Sequence, residues 1–185
     1  MRTPALLTLS LMFAGCRHAP RSPDAPRTLT ITDTTVVPAP IDVVWQTLTD
    51  LEGYAAWNPW IIDGAGDVAP GAVVRVVVVL GEDRLDSRHV VQTLEPPTRF
   101  CWRDAGWSAA LVYGQRCRTL TPLDEAHTRV TQELLVSGPL AETAMRRYGD
   151  AMRDGLAAEQ AALALTAPPR PPPPPLPPPS PTGPR

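Results

Sequence analysis

Lysine is absent from the 185 residues, and all 17 basic side chains are arginine. Without a lysine amine, Schiff-base catalysis, a phosphate-binding P-loop and a lysine general base are excluded. Cysteine is scarce: Cys16, Cys101 and Cys117 show no CxxC spacing, and the histidines are His18, His89 and His127. Metal sites built from closely spaced Cys and His are therefore not expected, and neither a metal nor a cofactor is called for. No GxSxG nucleophile motif and no conspicuous carboxylate pair is present, and Gly64-Ala65-Gly66 reads as a loop rather than a phosphate cradle. Positive charge is short where it would matter for nucleic acid. Residues 28–166 hold 11 Arg against 18 Asp and Glu, and a body that acidic repels phosphate backbones.

Long apolar runs are missing as well. The stretch Pro4 to Phe13 is half the roughly 20 residues a membrane-spanning helix needs. With Met1-Arg2-Thr3 before it and Ala14-Gly15-Cys16 after it, it reads as an export signal over residues 1–16. Leu11-Met12-Phe13-Ala14-Gly15-Cys16 resembles a bacterial lipobox, although Phe13 departs from the usual leucine; the alternative is a plain export signal with a bystander cysteine. A diacylated Cys16 would hold the protein stably on a membrane. Arg17 rather than an aspartate after it favours the outer membrane.

Residues 17–27, with Pro20, Pro23 and Pro26, read as a flexible tether. At the other end 167–185 is a proline-rich tail, with 12 prolines between Pro168 and Arg185. Such a run favours an extended polyproline II rod. It is either a ligand for a polyproline-binding partner, a spacer, or compositional drift.

Between these ends, about 140 residues suffice for one domain with a real core. Thr28 to Val37 is β-branched and alternating, as a strand requires. Ile41, Val44, Trp45 and Leu48 follow at helical spacing with Asp42 in the first turn, and Leu51 to Trp57 reads as a second short helix ended by Asn58-Pro59. A Gly- and Asp-rich loop is expected over 63–71. Strands are expected at Ala72–Leu80, Arg84–Leu94, Arg99–Asp104, Ala110–Thr121 and His127–Val136. After Ser137-Gly138-Pro139, the residues Ala141, Met145, Tyr148, Met152, Leu156 and Leu163 mark one stripe of a helix of roughly 25 residues. This order is that of an α+β domain whose long helix lies across the concave face of a curled sheet.

Several segments resemble bacterial polyketide-cyclase-like proteins of the START-related SRPBCC superfamily. They are Pro38 to Trp45, Tyr54-Ala55-Ala56-Trp57-Asn58-Pro59, Gly71, Leu94 to Phe100, Trp102, Leu120 to Leu123, Thr128 to Gln132 and Ser137-Gly138. The resemblance spans about 28–165 and implies the helix-grip (START-like) fold with an apolar cavity between sheet and long helix. It also implies a function among binding of lipids, sterols, quinones, polyketides or hormones, and, in a minority, cyclisation or dehydration. Relatives look as if they carry a histidine at the place of Arg116 and an aromatic at that of Arg118, both inward.

Strand alternation puts Arg116, Arg118 and Leu120 on one face and Tyr113, Gln115, Cys117 and Thr119 on the other. With the first set inward, two guanidinium groups approach the cavity, and each needs a partner. That partner is either an internal acid such as Glu133 or the carboxylate or phosphate head of a bound lipid. Trp60, Phe100, Trp102, Met145, Tyr148 and Met152 complete the candidate ligand-binding set, each equally readable as core. Trp57 and Trp60 are core residues or a lid, and Asp63 and Asp67 solvated loop residues. If the strands of Cys101 and Cys117 pair as a hairpin, the two thiols share an outer face, and a disulfide depends on register. No residue is assigned a catalytic role: His89, Asp86 and Glu133 carry acid–base chemistry, but register alone does not bring them together.

The expectation is a membrane-anchored binding protein for a small hydrophobic or lipid-like ligand. The alternatives are a cyclase or dehydratase acting on an aromatic or polyketide substrate, and an envelope interaction protein working through its proline-rich tail.

Overall fold

Thr28–Val37 (β1) forms the strand its β-branched alternation predicts, burying Ile31 and Val37 while Thr32, Thr34 and Val36 on the other face are exposed. Pro38 and Pro40 end it, and α1 (Ile41–Thr49) begins directly after Pro40, turning Val44 and Leu48 into the core. A short 3-10 helix, Glu52–Ala56, buries Tyr54. There follow β2 (Ile61–Ala65), β3 (Val73–Leu80), β4 (Asp83–Glu95), β5 (Arg99–Asp104), a 3-10 turn (Trp107–Ala110), β6 (Tyr113–Pro122), β7 (Thr128–Ser137) and α2 (Ala141–Thr166). The computed structural model describes residues 20–166. The lipobox Cys16, the export signal and the proline-rich tail 167–185 lie outside the described residues.

The strands form one seven-stranded antiparallel sheet in the order β1-β7-β6-β5-β4-β3-β2. The 26-residue α2 lies against it, packing Leu156 with Ile31 and Trp60 and Leu163 with Val37, Val44, Leu48, Leu120 and Val130. Each buried leucine contributes about 1.5–3 kcal/mol. A second cluster joins Leu51 and Tyr54 to Ile61, Val74, Val76, Val91, Phe100 and Trp102. This is the helix-grip architecture: a curled sheet around a long C-terminal helix.

Two expectations about elements fail. The segment read as a loop over 63–71 begins inside β2, which pairs with β3 through a register shift between Ile61 and Asp63. Gly64 and Asp63 depress β-propensity, yet pairing with the valine-rich β3 overrides it. Asp63 is accordingly paired, 3.0 Å from Arg75, and Asp67 is exposed. Residues 110–112 do not belong to β6, because the 3-10 turn runs to Ala110 and the strand opens at Tyr113.

A buried arginine pair beside an aromatic cavity

The antiparallel register sets Arg116 of β6 between Trp102 of β5 and Leu134 of β7, and Arg118 between Phe100 and Gln132. Alternation carries both guanidinium groups to the concave side, where α2 covers them. Arg116 is 3% exposed and Arg118 is fully buried. Each lies on aromatic rings: Arg116 over Trp60 at 4.5 Å, and Arg118 over Trp102 at 4.3 Å and Phe100 at 5.2 Å. Cation–π contact of this kind partly offsets the loss of water.

The acid that answers them is Glu159 of α2, itself fully buried. Its Oε1 is 2.7 Å from Arg116 Nη2 and 3.9 Å from Arg118 Nη2. Gln132 joins the group, accepting a short hydrogen bond from Arg116 and donating to Glu159 Oε1 at 3.2 Å. Burial pushes the Glu159 carboxyl up, but the charges of Arg116 and Arg118 and the hydrogen bond from Arg116 outweigh it and hold it below the usual glutamate range. Burial, with Arg118 alongside, brings Arg116 down to about 10, so it stays charged at neutral pH. Tyr54, pushed up to about 12 by burial, is neutral and donates to Leu48 O at 2.7 Å.

Glu133, expected as the internal partner, is not it. It stands opposite Cys117 on β6, on the convex side of the sheet. Glu159 was missed, although the signal was present: it falls three residues after Leu156 and four before Leu163, on the stripe that packs inward. A carboxylate there, in a chain with two inward arginines, is a pairing that periodicity alone can suggest.

In front of Arg116 a cavity of about 110 Å3 opens between sheet and helix. Its walls include Trp60, Val76, Val78, Leu85, Trp102 and Met152, with Arg116, His89 and Ser87 as polar members. Asn58 positions Trp60: its Oδ1 accepts from the backbone N–H of Trp60 at 3.0 Å and of Ile61 at 2.8 Å. Of the expected ligand-binding set, Trp60, Trp102, Arg116 and Met152 thus meet at one place. Phe100 and Arg118 are fully buried against Trp102 and do not line it. Met145 and Tyr148 are corrected. Met145 lines an outer cleft with Leu29 and Arg153, and the Tyr148 hydroxyl donates at 3.2 Å to Asp83, the first residue of β4. One stripe on a 26-residue helix passes beyond the cavity before it ends, so its first turns reach the rim.

His89 lies in the cavity wall, stacked on Trp102 with centroids 5.1 Å apart. Register puts it opposite Asp104, and its Nδ1 is 3.2 Å from Asp104 Oδ1, at ion-pair distance without hydrogen-bond alignment. Asp104 Oδ2 accepts from Gly114 N–H at 2.8 Å. A Cβ on Gly114 would fall 2.6 Å from that oxygen, so a larger residue there would push the carboxylate aside. Asp86 instead pairs with Arg75 at the surface, and Glu133 is on the other side. The polar partner of His89 is therefore Asp104.

On the convex side Cys101 and Cys117 are register partners with Cα atoms 4.1 Å apart, and their sulfurs are bonded. Arg21, from the segment read as a tether, docks nearby. Its N–H donates to Gln115 Oε1 at 2.7 Å, its Nη1 donates to Ser137 Oγ at 2.6 Å, and its guanidinium lies 3.9 Å over the Tyr113 ring. Among the described residues no three His, Cys, Asp or Glu side chains gather to hold a metal, and no helix is long and apolar enough to cross a membrane.

Residues 28–164 match the family described as polyketide cyclase/dehydrase and lipid transport. Among solved structures the chain is similar to the Zhui aromatase/cyclase of a Streptomyces species, at 18% identity and TM-score 0.64, covering 76% of this chain and 93% of that one. It is similar to a major latex-like protein of Panax ginseng, at 13% identity and TM-score 0.63, covering 76% and 98%. It is also similar to a START superfamily protein of Mycobacterium smegmatis, at 16% identity and TM-score 0.54, covering 74% and 99%. These likenesses show the fold. No curated protein matches the sequence.

Proposed function

Because this chain belongs to the polyketide cyclase/dehydrase and lipid transport family, we propose that it is a binding protein that holds a small, largely hydrophobic ligand between sheet and α2. In this reading it is exported and anchored to a bacterial membrane through a lipidated Cys16. The observation that carries the binding role is the cavity itself. Trp60, Val76, Val78, Leu85, Trp102 and Met152 present apolar surface around a space of about 110 Å3, comparable with cavities of about 150 Å3 that take up a single aromatic ring. A few polar groups set among apolar walls are what orients a small molecule. The bonded Cys101 and Cys117 support an oxidising compartment, in keeping with export.

A second reading, a cyclase or dehydratase acting on an aromatic or polyketide substrate, is favoured by His89 beside Asp104 in the same wall. A histidine oriented by a carboxylate can take or give a proton at its other ring nitrogen. The solved relative from Streptomyces is an aromatase/cyclase. The binding reading is preferred because a buried, already paired Arg116 and an apolar wall serve retention.

Native mass spectrometry of the full chain purified from a bacterial membrane fraction, followed by organic extraction, tests the proposal. A co-purifying hydrophobic molecule, with Cys16→Ser moving the protein to the soluble fraction, is the expected result. A protein that is empty and takes up no member of a panel of fatty acids, quinones and aromatic polyketides overturns the binding role. Turnover of such a compound, lost in His89→Ala, establishes the enzyme instead.

A further inference from the structure

We propose that the ligand is a monoanion, a carboxylate-bearing amphiphile whose head group pairs with Arg116. This rests on the binding reading above and names the chemistry of that site. Two guanidinium groups and one carboxylate are buried together, so the cluster carries one uncompensated positive charge. None of the three nitrogens of Arg118 donates a hydrogen bond to any described residue, and Arg116 Nε is likewise without a partner. Tyr54 adds no charge, since it is neutral. Asp104, on the same face of the sheet, accepts from Gly114 N–H, and its side chain is 31% exposed, so water reaches its charge. A buried charge without a counter-charge is among the costliest features a protein can hold, and among the described residues Glu159 is the only buried carboxylate.

Arg116 is the member that reaches the cavity wall, so it is where an incoming head group arrives. A carboxylate matches the planar guanidinium bidentately, and a charge of minus one brings the cluster to zero. A phosphate monoester would overshoot and leave a buried negative charge. Glu159 then has a second place to go. It is 3.9 Å from Arg118, and when the ligand takes Arg116 it closes on Arg118, whose donors are idle. Gln132, bonded to both Arg116 and Glu159, lies where it can follow the exchange. The aromatic body of the ligand lies between Trp60 and Trp102, with Met152 adapting to its shape.

Tryptophan-fluorescence titration of the full chain at neutral pH with benzoate, 2-naphthoate and octanoate, each against its primary amide, tests the assignment. The acid should bind at least tenfold more tightly than the amide, and Arg116→Gln should abolish the difference. Glu159→Gln, which leaves two guanidinium groups with no acid, should bind the carboxylate several-fold more tightly than the unaltered protein, an effect that loss of packing would not produce. If Arg116→Gln fails to fold by circular dichroism, Glu159→Gln decides, and weaker acid binding in it overturns the proposal. Equal affinity for acid and amide overturns the anion assignment and leaves the binding reading standing. Tighter binding of phenyl phosphate than of benzoate overturns the carboxylate class. Failure of acids and amides alike removes the binding reading as well.

Discussion

The indole of Trp60 fills the space that a side chain on Gly155 would need, since a Cβ there would collide with Trp60 Cδ1, Nε1 and Cγ. Trp60 is also shared by two spaces. It lines the inner cavity with Trp102 and Arg116, and a separate surface groove with Pro59, Val79 and Ala158. It is the wall between them, and α2 can approach it this closely because position 155 carries no side chain. Gly155→Ala is expected to destabilise the fold by about 1–3 kcal/mol despite the better helix propensity of alanine, because overpacking a filled site forces its neighbours to move. Adding Trp60→Leu should recover most of that loss. Urea unfolding followed by circular dichroism checks both, and additive losses would show that the two residues do not share the site.

Glu159 links stability to pH. Its carboxyl lies below its ordinary 4.5 in the folded chain, so the unfolded chain takes up the proton more readily. The stabilisation is fully present above pH 4.5 and is lost as pH falls through the folded value. Acid unfolding of the unaltered protein should steepen below pH 4.5, and Glu159→Gln should flatten that part of the curve. At neutral pH the loss of one partner from a buried ion pair should cost Glu159→Ala about 3–5 kcal/mol. Urea unfolding across a pH series measures both.

The bond between Cys101 and Cys117 closes a loop with a sequence separation of 16, which corresponds to about 3 kcal/mol of lost unfolded-state entropy. Reduction with dithiothreitol should lower stability by about that amount, and Cys101→Ala/Cys117→Ala should match the reduced protein. The intact mass should rise by about two hydrogens on reduction. An unchanged mass would show that the thiols are not joined.

Much of this was legible in the sequence, for definite reasons. The β1, α1 and α2 segments carry uninterrupted periodicity, and proline or Gly138-Pro139 marks their ends. The inward set Arg116, Arg118 and Leu120 followed from alternation once β6 was recognised as a strand. What could not be read was register and depth. Cys101 and Cys117 face each other, and His89 meets Asp104, because of how β4, β5 and β6 slide against one another; no local pattern encodes that offset. The helix stripe gave the face of α2 but not where along it the cavity lies, so Met145 and Tyr148 were placed in a site that contains Met152. Glu133 is the nearer acid in sequence, whereas a helix crossing the sheet brings Glu159 to the two arginines in space. Short β2 was hidden by Asp63 and Gly64, which strand pairing tolerates and propensity does not.

A small amphiphile in the space between Trp60, Trp102 and Arg116 would touch Met152, which lies in the wall of that space and so reports on it directly. The protein labelled with 13C at methionine methyls should be titrated with 2-naphthoate and followed by NMR. A large, saturable shift of the Met152 resonance is expected, while that of Met145 in the outer cleft changes little. A Met152 resonance that does not move at saturating ligand, or shifts confined to Met145, would contradict binding in that space.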